Sequence, residues 1–338
     1  MDEKQTGFNL DLLMRTIDLN VNRVHVMRPP WRMSGPDTTL LKRKLLAFTN
    51  RFFMNEGMSA QALTLRLRQA GYIADHGLAT ALGLAESLQR ALLLEGEAGV
   101  GKSEAARALA QALGAPFIRL QCYEGIDVHD ALYEWNYPRQ LLAIRAAESS
   151  AQAPADLYSE AFLIRRPLLQ ALAGEPAAAV LLIDEIDRAD DEFEAFLLEF
   201  LQDYAVTIPE LGRISAARVP IVILTSNRTR DLHDALKRRC YYHWIAYPTP
   251  ARELEILRLR LPEIEDRLLE DVTRAIAQLR RLELRKLPGI AEAIDWAMSA
   301  HALGAERLEA ALDLTLGAVL KYPEDIETAR AHRADLIA

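Results

Sequence analysis

Gly96-Glu97-Ala98-Gly99-Val100-Gly101-Lys102-Ser103 fits the phosphate-binding pattern G-x-x-x-x-G-K-[ST] at every fixed position. Its surroundings are those the pattern needs. Ala91-Leu92-Leu93-Leu94 before it is a short apolar run suited to a buried strand. After it, Lys102 to Leu113 has helical spacing, with Ala105, Ala106, Leu109, Ala110 and Leu113 on one stripe. In a strand–loop–helix unit the glycines turn backbone amides inward onto phosphate oxygens, and the helix N-terminus adds the positive end of its dipole. Lys102 is then placed to reach the β- and γ-phosphates and Ser103 to ligate Mg²⁺. Glu104 closes the cofactor-binding stretch. The competing reading, a chance match in an ordinary glycine turn, has the flanking strand and helix against it.

A second constellation lies downstream. Val180-Leu181-Leu182-Ile183-Asp184-Glu185 is four apolar residues followed by two carboxylates. A buried strand ending in acids presents them at its C-terminal edge, where open α/β sheets bind ligands. Asp184 could hold Mg²⁺ directly or through water, and Glu185 could orient and deprotonate an attacking water. Should Glu185 not be that base, Asp187 is the next candidate. The bland alternative is a surface acid pair before a helix starting near Asp190. Pro220-Ile221-Val222-Ile223-Leu224-Thr225-Ser226-Asn227 is a further apolar strand. It ends in an amide that could sit beside Glu185. Leu236-Lys237-Arg238-Arg239-Cys240 follows. Its two arginines are either surface charge or an arginine finger for a neighbouring subunit's γ-phosphate.

The bulk numbers agree with an α/β enzyme. A chain of 338 residues can hold a large α/β domain and a smaller unit. The net charge of -8 argues against a nucleic-acid coat. Cys122 and Cys240 are the only cysteines, too few for a disulfide framework, so a reducing cytoplasm is expected. No apolar run reaches bilayer length, and the Met-Asp-Glu-Lys start lacks a signal peptide's apolar core. His25, His76, His129, His233, His243, His301 and His332 show no ligand-like spacing.

Along the chain, residues 1–58 read as an N-terminal extension with loops at Arg28-Pro29-Pro30-Trp31-Arg32 and Ser34-Gly35-Pro36. Its basic Lys42-Arg43-Lys44 is either a docking segment or a solvated helix face. Two helices are expected from Ser59 to Arg90, with Gly71-Tyr72-Ile73 between them. Candidate strands cover 91–95, 116–122, 180–184, 219–226 and 241–246. Pro248-Thr249-Pro250 is a break, after which the chain is helical and charged. This gives an α/β domain over 59–248 and an all-α lid over 249–338. The stretch 125–175 is too long for a simple strand connection, so a functional insertion is expected there.

In this order, these features resemble the AAA+ ATPases, and the finer pattern looks like the MoxR branch. That likeness rests on Asp184-Glu185-Ile186-Asp187-Arg188-Ala189, Phe196-Leu197-Leu198-Glu199-Phe200-Leu201 and Val206-Thr207-Ile208-Pro209-Glu210. Arg119 through Gly125, Tyr133 through Arg145, Phe162 through Leu169 and Thr225 through Trp244 are similar to CoxD-like ATPases, which are linked to carbon monoxide dehydrogenase maturation. The resemblance spans roughly residues 60 to 330.

The resemblance implies a P-loop NTPase of AAA+ type: a parallel sheet sandwiched by helices, with a smaller C-terminal all-α lid. It implies ATP and Mg²⁺ as cofactors, a homo-oligomer in a hexameric ring, a client protein and a von Willebrand A-type partner. The activity implied is that of a chaperone maturing a molybdenum hydroxylase metal site. No nucleic acid is expected. The alternatives are a nucleic-acid-directed AAA+ motor and a nucleotide-gated scaffold. Residue by residue, Asn227 matches sensor 1, and Arg239 matches the finger best, with Arg238 second. Tyr72 and Ile73 match the adenine pocket, or are ordinary helix-junction packing. Gln121 matches a switch residue contacting Glu185. Insertions near 125–165 and 205–220 match a pore-facing segment and a β-hairpin. Tyr133, Trp135 and Tyr137 would touch the client, or form a small local core. The family's Ser-Pro-Arg at sensor 2 is absent. The nearest stretch is Arg285-Lys286-Leu287-Pro288-Gly289, where glycine replaces the arginine and Arg285 or Lys286 is left as the substitute.

Overall fold

Five apolar strands form a wholly parallel sheet in the order β2-β5-β8-β1-β9. They are β1 (Leu92–Gly96), β2 (Phe117–Gln121), β5 (Val180–Asp184), β8 (Ile221–Ser226) and β9 (Tyr241–Ile245). The computed structural model describes residues 60–150, 156–174 and 176–337. The N-terminal extension expected over 1–58 lies outside the described residues.

The central strands read as continuous apolar runs because both faces of the sheet are covered. Successive residues divide between two cores, as the two-residue period of a strand requires. Leu93, Leu181, Ile183, Val222 and Leu224 enter one core with Phe193, Leu197 and Phe200. Leu92, Leu94, Leu182 and Ile223 enter the other with Leu78, Leu82, Ala105 and Leu109. The second core is covered by α1 (Ala60–Gln69), α2 (His76–Leu88) and α3 (Lys102–Leu113). Asp75 caps α2 by accepting from Leu78 N–H at 2.7 Å. Gly114 ends α3 in the left-handed region, which favours glycine (φ 61°).

The long 125–175 stretch carries structure of its own. α4 (Val128–Ala131) leads into β3 (Tyr133–Trp135), and α5 (Tyr137–Ser150) follows. β4 (Leu163–Arg165) pairs antiparallel with β3, and α6 (Pro167–Ala173) leads back to the sheet. Tyr133 and Trp135 are buried, and the edge-on ring series His129, Tyr133, Trp135, Tyr158 ties the unit together. These two aromatics are therefore local core rather than client-contacting groups. Tyr137, 64% exposed at the start of α5, is the one facing outward.

α7 (Asp191–Asp203) is capped by Asp190, which accepts from Phe193 N–H at 2.9 Å. It leads into an antiparallel hairpin of β6 (Ala205–Ile208) and β7 (Gly212–Ser215). α8 (Asp234–Arg239) precedes β9. From Pro250 the described chain is helical: α9 (Pro250–Arg260), α10 (Asp266–Leu279), α11 (Ile290–Ala302), α12 (Leu308–Val319), α13 (Pro323–Ala331) and α14 (Arg333–Ile337). Pro250 suits the first helical position, and Thr249 caps it. These helices enclose a separate core around Trp296, whose indole N–H donates to Thr315 Oγ1 at 2.8 Å. No helix among the described residues is long and apolar enough to cross a membrane.

Candidate nucleotide site

The strands run parallel, so their C-terminal ends gather along one edge, and the sequence places its chemistry there. Gln121 pairs with Asp184 across β2 and β5, and Glu95 pairs with Ser226 across β1 and β8. The loop Gly96–Ser103 connects β1 directly to α3. Its glycines are required. Gly99 and Gly101 have φ of 78° and 93°, and a Cβ on Gly96 would meet the Ile245 carbonyl oxygen at 2.3 Å. Lys102 folds onto the loop, its ammonium donating to the carbonyls of Gly96 at 2.8 Å and Glu97 at 2.7 Å. Burial holds the Lys102 ammonium below the ordinary lysine value, and Asp187, Glu97, Asp184 and Glu185 pull it back in part.

Asp184 is 2% exposed and fully engaged. Its Oδ1 accepts from Ser103 Oγ at 2.7 Å and from Thr225 Oγ1 at 2.5 Å. Its Oδ2 accepts from Arg119 Nε at 2.9 Å, with Arg119 Nη2 at 2.6 Å. A carboxylate meeting the hydroxyl of the phosphate-loop serine is a hard-oxygen set that fits Mg²⁺. Among the described residues no group of three or more His, Cys, Asp or Glu could cage a metal. A cation here would complete its shell with nucleotide phosphates and water.

Glu185 leaves the strand in the left-handed region (φ 56°), unusual for a side chain with a Cβ. Its backbone N–H is held by Thr225 Oγ1 at 3.0 Å, and its carboxylate meets Arg188 Nε at 2.8 Å. Among the described residues Gln121 makes no hydrogen bond to Glu185. Its side chain accepts from Arg119 and donates to the Cys122 carbonyl at 3.3 Å. Asp187 is buried, and its Oδ2 accepts from Asn227 N–H at 3.2 Å, Thr229 N–H at 2.9 Å and Thr229 Oγ1 at 2.7 Å. Oδ2 thus anchors the Asn227 loop beside the end of β5, while Oδ1 is buried without a hydrogen-bond partner among the described residues. Thr225 and Arg119 were not singled out for chemistry from the sequence. A hydroxyl facing Asp184 from the next strand, and an arginine two residues before Gln121 on the same strand face, were the available signals.

The two arginines of α8 differ. Arg239 is turned back onto α7, donating to the Leu198 carbonyl and to Gln202 Oε1 at 3.0 Å. Arg238 is exposed. Arg90 donates to both of their carbonyls.

Tyr72 and Ile73 lie between α1 and α2, against the loop. An added Cβ on Gly101 would sit 3.5 Å from Tyr72 Cε2, and Arg252 from α9 donates to the Ile73 carbonyl at 2.7 Å. Burial pushes the Tyr72 phenol well above its ordinary value. On the same helix Arg260 reaches Glu104 at 2.9 Å.

The helical region closes directly on the loop. Ile290 N–H donates to the Gly99 carbonyl at 2.9 Å, and a Cβ on Gly289 would lie 2.8 Å from Gly99 backbone atoms. Glu292 caps α11 by accepting from Gly289 N–H at 3.0 Å. The expected substitutes differ: Lys286 pairs with a glutamate that lies against Gly99 of the loop, whereas Arg285 turns away. Arg285 stacks on Tyr322 and pairs with Glu324 at 3.7 Å, and Lys286 pairs with Glu292 at 3.7 Å.

Residues 91–240 match the family model for the AAA domain, dynein-related subfamily. Among solved structures, a candidate ATPase from Cytophaga hutchinsonii is similar to this chain at 16% identity and a TM-score of 0.41, with 87% of this chain and 89% of that chain covered. No curated protein matches this chain.

Proposed function

We propose that this ATPase, an AAA+ protein whose residues 91–240 form the AAA domain, hydrolyses Mg²⁺-bound ATP at the loop–sheet edge and works as a ring that remodels a client protein. The observation carrying this reading is the convergence of Lys102, Ser103, Asp184, Glu185 and the Asp187-anchored Asn227 loop at the ends of adjacent parallel strands.

In this reading Lys102 exchanges its two loop carbonyls for phosphate oxygens. Ser103 and Asp184 would hold the Mg²⁺, which neutralises phosphate charge when bound. Glu185 takes the proton of the attacking water, and Asn227 orients that water. Little covalent chemistry falls to the protein, so positioning and charge carry the catalysis. Tyr72 and Ile73 border the base. Residues 249–338 act as the lid, with α9 fastening the base-side junction through Arg252 and Arg260. Exposed Tyr137, Leu141 and Leu142 on α5 supply apolar surface for a client. A molybdenum hydroxylase metal site as client, and a von Willebrand A-type partner, rest on the sequence resemblance alone.

A shared active site tests the ring. Lys102→Ala and a finger variant should each be inactive, and mixing them should restore part of the ATPase rate. At some interfaces an intact phosphate loop then meets an intact finger. The experiment is run with Arg239→Ala and separately with Arg238→Ala. The exposed side chain of Arg238 is free to reach a neighbour, whereas Arg239 must first leave Leu198 and Gln202. Verified mixed assemblies that stay dead with both variants would overturn the shared site.

A further inference from the structure

We propose that Arg119 is the placeholder for the active-site cation: its guanidinium neutralises Asp184 until the metal arrives, and it must leave Asp184 for the metal to bind. The proposal rests on the nucleotide-site reading above and concerns the cationic side chain that, among the described residues, is paired with Asp184.

Strand register builds the contact. Arg119 and Gln121 share one face of β2, and Gln121 pairs directly with Asp184, so Arg119 approaches Asp184 along the diagonal. Nε and Nη2 both reach Asp184 Oδ2, and Nη2 also donates to Gln121 Oε1. Oδ1 is already taken by the Ser103 and Thr225 hydroxyls. While Arg119 stays, both oxygens of the carboxylate already accept two donors each, so an incoming cation must displace one of them. A guanidinium and a divalent ion on one buried carboxylate repel each other strongly, so the two compete.

The burial is asymmetric. The Asp184 side chain is 3% exposed, whereas that of Arg119 is 47% exposed. Asp184 cannot move away from its strand, but the arginine can swing into solvent at modest cost. Arg119 also offsets a concentration of acid, since Asp184, Glu185 and Asp187 lie within four residues of one another. Leaving one buried carboxylate without its partner is costly, so a cation stays on Asp184 until another replaces it. An exchangeable arginine makes metal affinity depend on nucleotide. Phosphates supply the remaining ligands and tip the exchange.

A purely structural ion pair would behave differently, and Mn²⁺ alone separates the two. In the full chain without nucleotide, Arg119→Gln should bind Mn²⁺ about tenfold or more tightly than the wild type, read from free Mn²⁺ by electron paramagnetic resonance. Its melting temperature without metal should fall, and saturating Mn²⁺ should recover most of the loss. Arg119→Lys, which keeps the charge but loses the fork, should fall between the two proteins and carries the test if Arg119→Gln does not fold. Mn²⁺ affinity that is unchanged or weaker in the folded variants overturns the proposal and leaves a structural ion pair. Failure of the nucleotide reading would look different: the wild type itself would not bind fluorescent ATP in the presence of Mn²⁺.

Discussion

The two walls of the nucleotide cleft are built on opposite plans. The sheet-side wall is a dense array of charges held in place by strand register: Lys102, Asp184, Glu185, Asp187 and Arg119. The helical wall offers almost no free charge. It presents the bare backbone of Gly289 and Ile290 to Gly99, backed by Glu292, which Lys286 pairs at 3.7 Å, while Arg285 is committed to Tyr322 and Glu324. The charged side chains therefore gather on the sheet side, and the helical side meets the loop through backbone. Arginine at position 289 is incompatible with this closed contact, because even a Cβ there would meet the loop backbone at 2.8 Å.

This division predicts a graded series of effects. The largest falls on Lys102→Ala. Truncating one member of a desolvated charge pair costs roughly 2–5 kcal/mol, so fluorescent-ATP affinity should drop by about thirtyfold to several thousandfold. Unchanged affinity would remove the sheet side as the phosphate site altogether. Glu185→Gln should keep ATP bound while lowering turnover by about two to four orders of magnitude, the usual contribution of a general base. Wild-type turnover in that variant would put the base elsewhere. Asp187 is then the next candidate, since only its Oδ2 is held by Asn227 and Thr229 and its buried Oδ1 has no hydrogen-bond partner among the described residues.

Gly289→Ala sharpens the comparison from the other wall. The added methyl overpacks the Gly99 contact, which should weaken closure by about 1–3 kcal/mol. Hydrogen exchange at the Ile290 amide should rise about five- to hundredfold, with Glu185 chemistry intact in the closed fraction. Protection equal to that of the wild type would mean the contact is not what closes the cleft. The smallest effects belong to Arg285→Ala and Lys286→Ala. Exposed ion pairs are worth about 0–1 kcal/mol, so ATPase rates should change by less than about fivefold. A hundredfold loss in either would show that a lid movement brings that cation to the phosphates and would break the contrast between the walls.

Much of the sheet side was legible because its determinants are local in sequence. The apolar runs at Leu92, Val180 and Ile221 specify buried parallel strands, and the glycine spacing from Gly96 to Gly101 specifies the loop's backbone without reference to anything distant. Asp184 and Glu185 were legible because a strand that ends in acids can only present them at the sheet edge. The partners of those residues were not. Arg119 reaches Asp184 only because β2 pairs with β5, and Asp187 holds Asn227 only because β8 lies beside β5. Register across non-adjacent strands is settled by packing of the whole sheet and leaves no local pattern.

The same physics separates the rest. The fold class, the phosphate loop and the break at Pro248–Pro250 follow from hydrophobic period, glycine dihedrals and proline sterics, which act within a few residues. The length of the 125–175 stretch likewise put Tyr133, Trp135 and Tyr137 in one insertion expected to be functional. Only tertiary structure decided that the first two are core, because burial depends on what Tyr158 and the pairing of β3 with β4 bring against them. Packing likewise turns Arg239 onto α7 and brings Gly289 of the helical region against the loop. Each of those outcomes depends on which distant backbone comes within about 4 Å, the range over which packing and hydrogen bonds act.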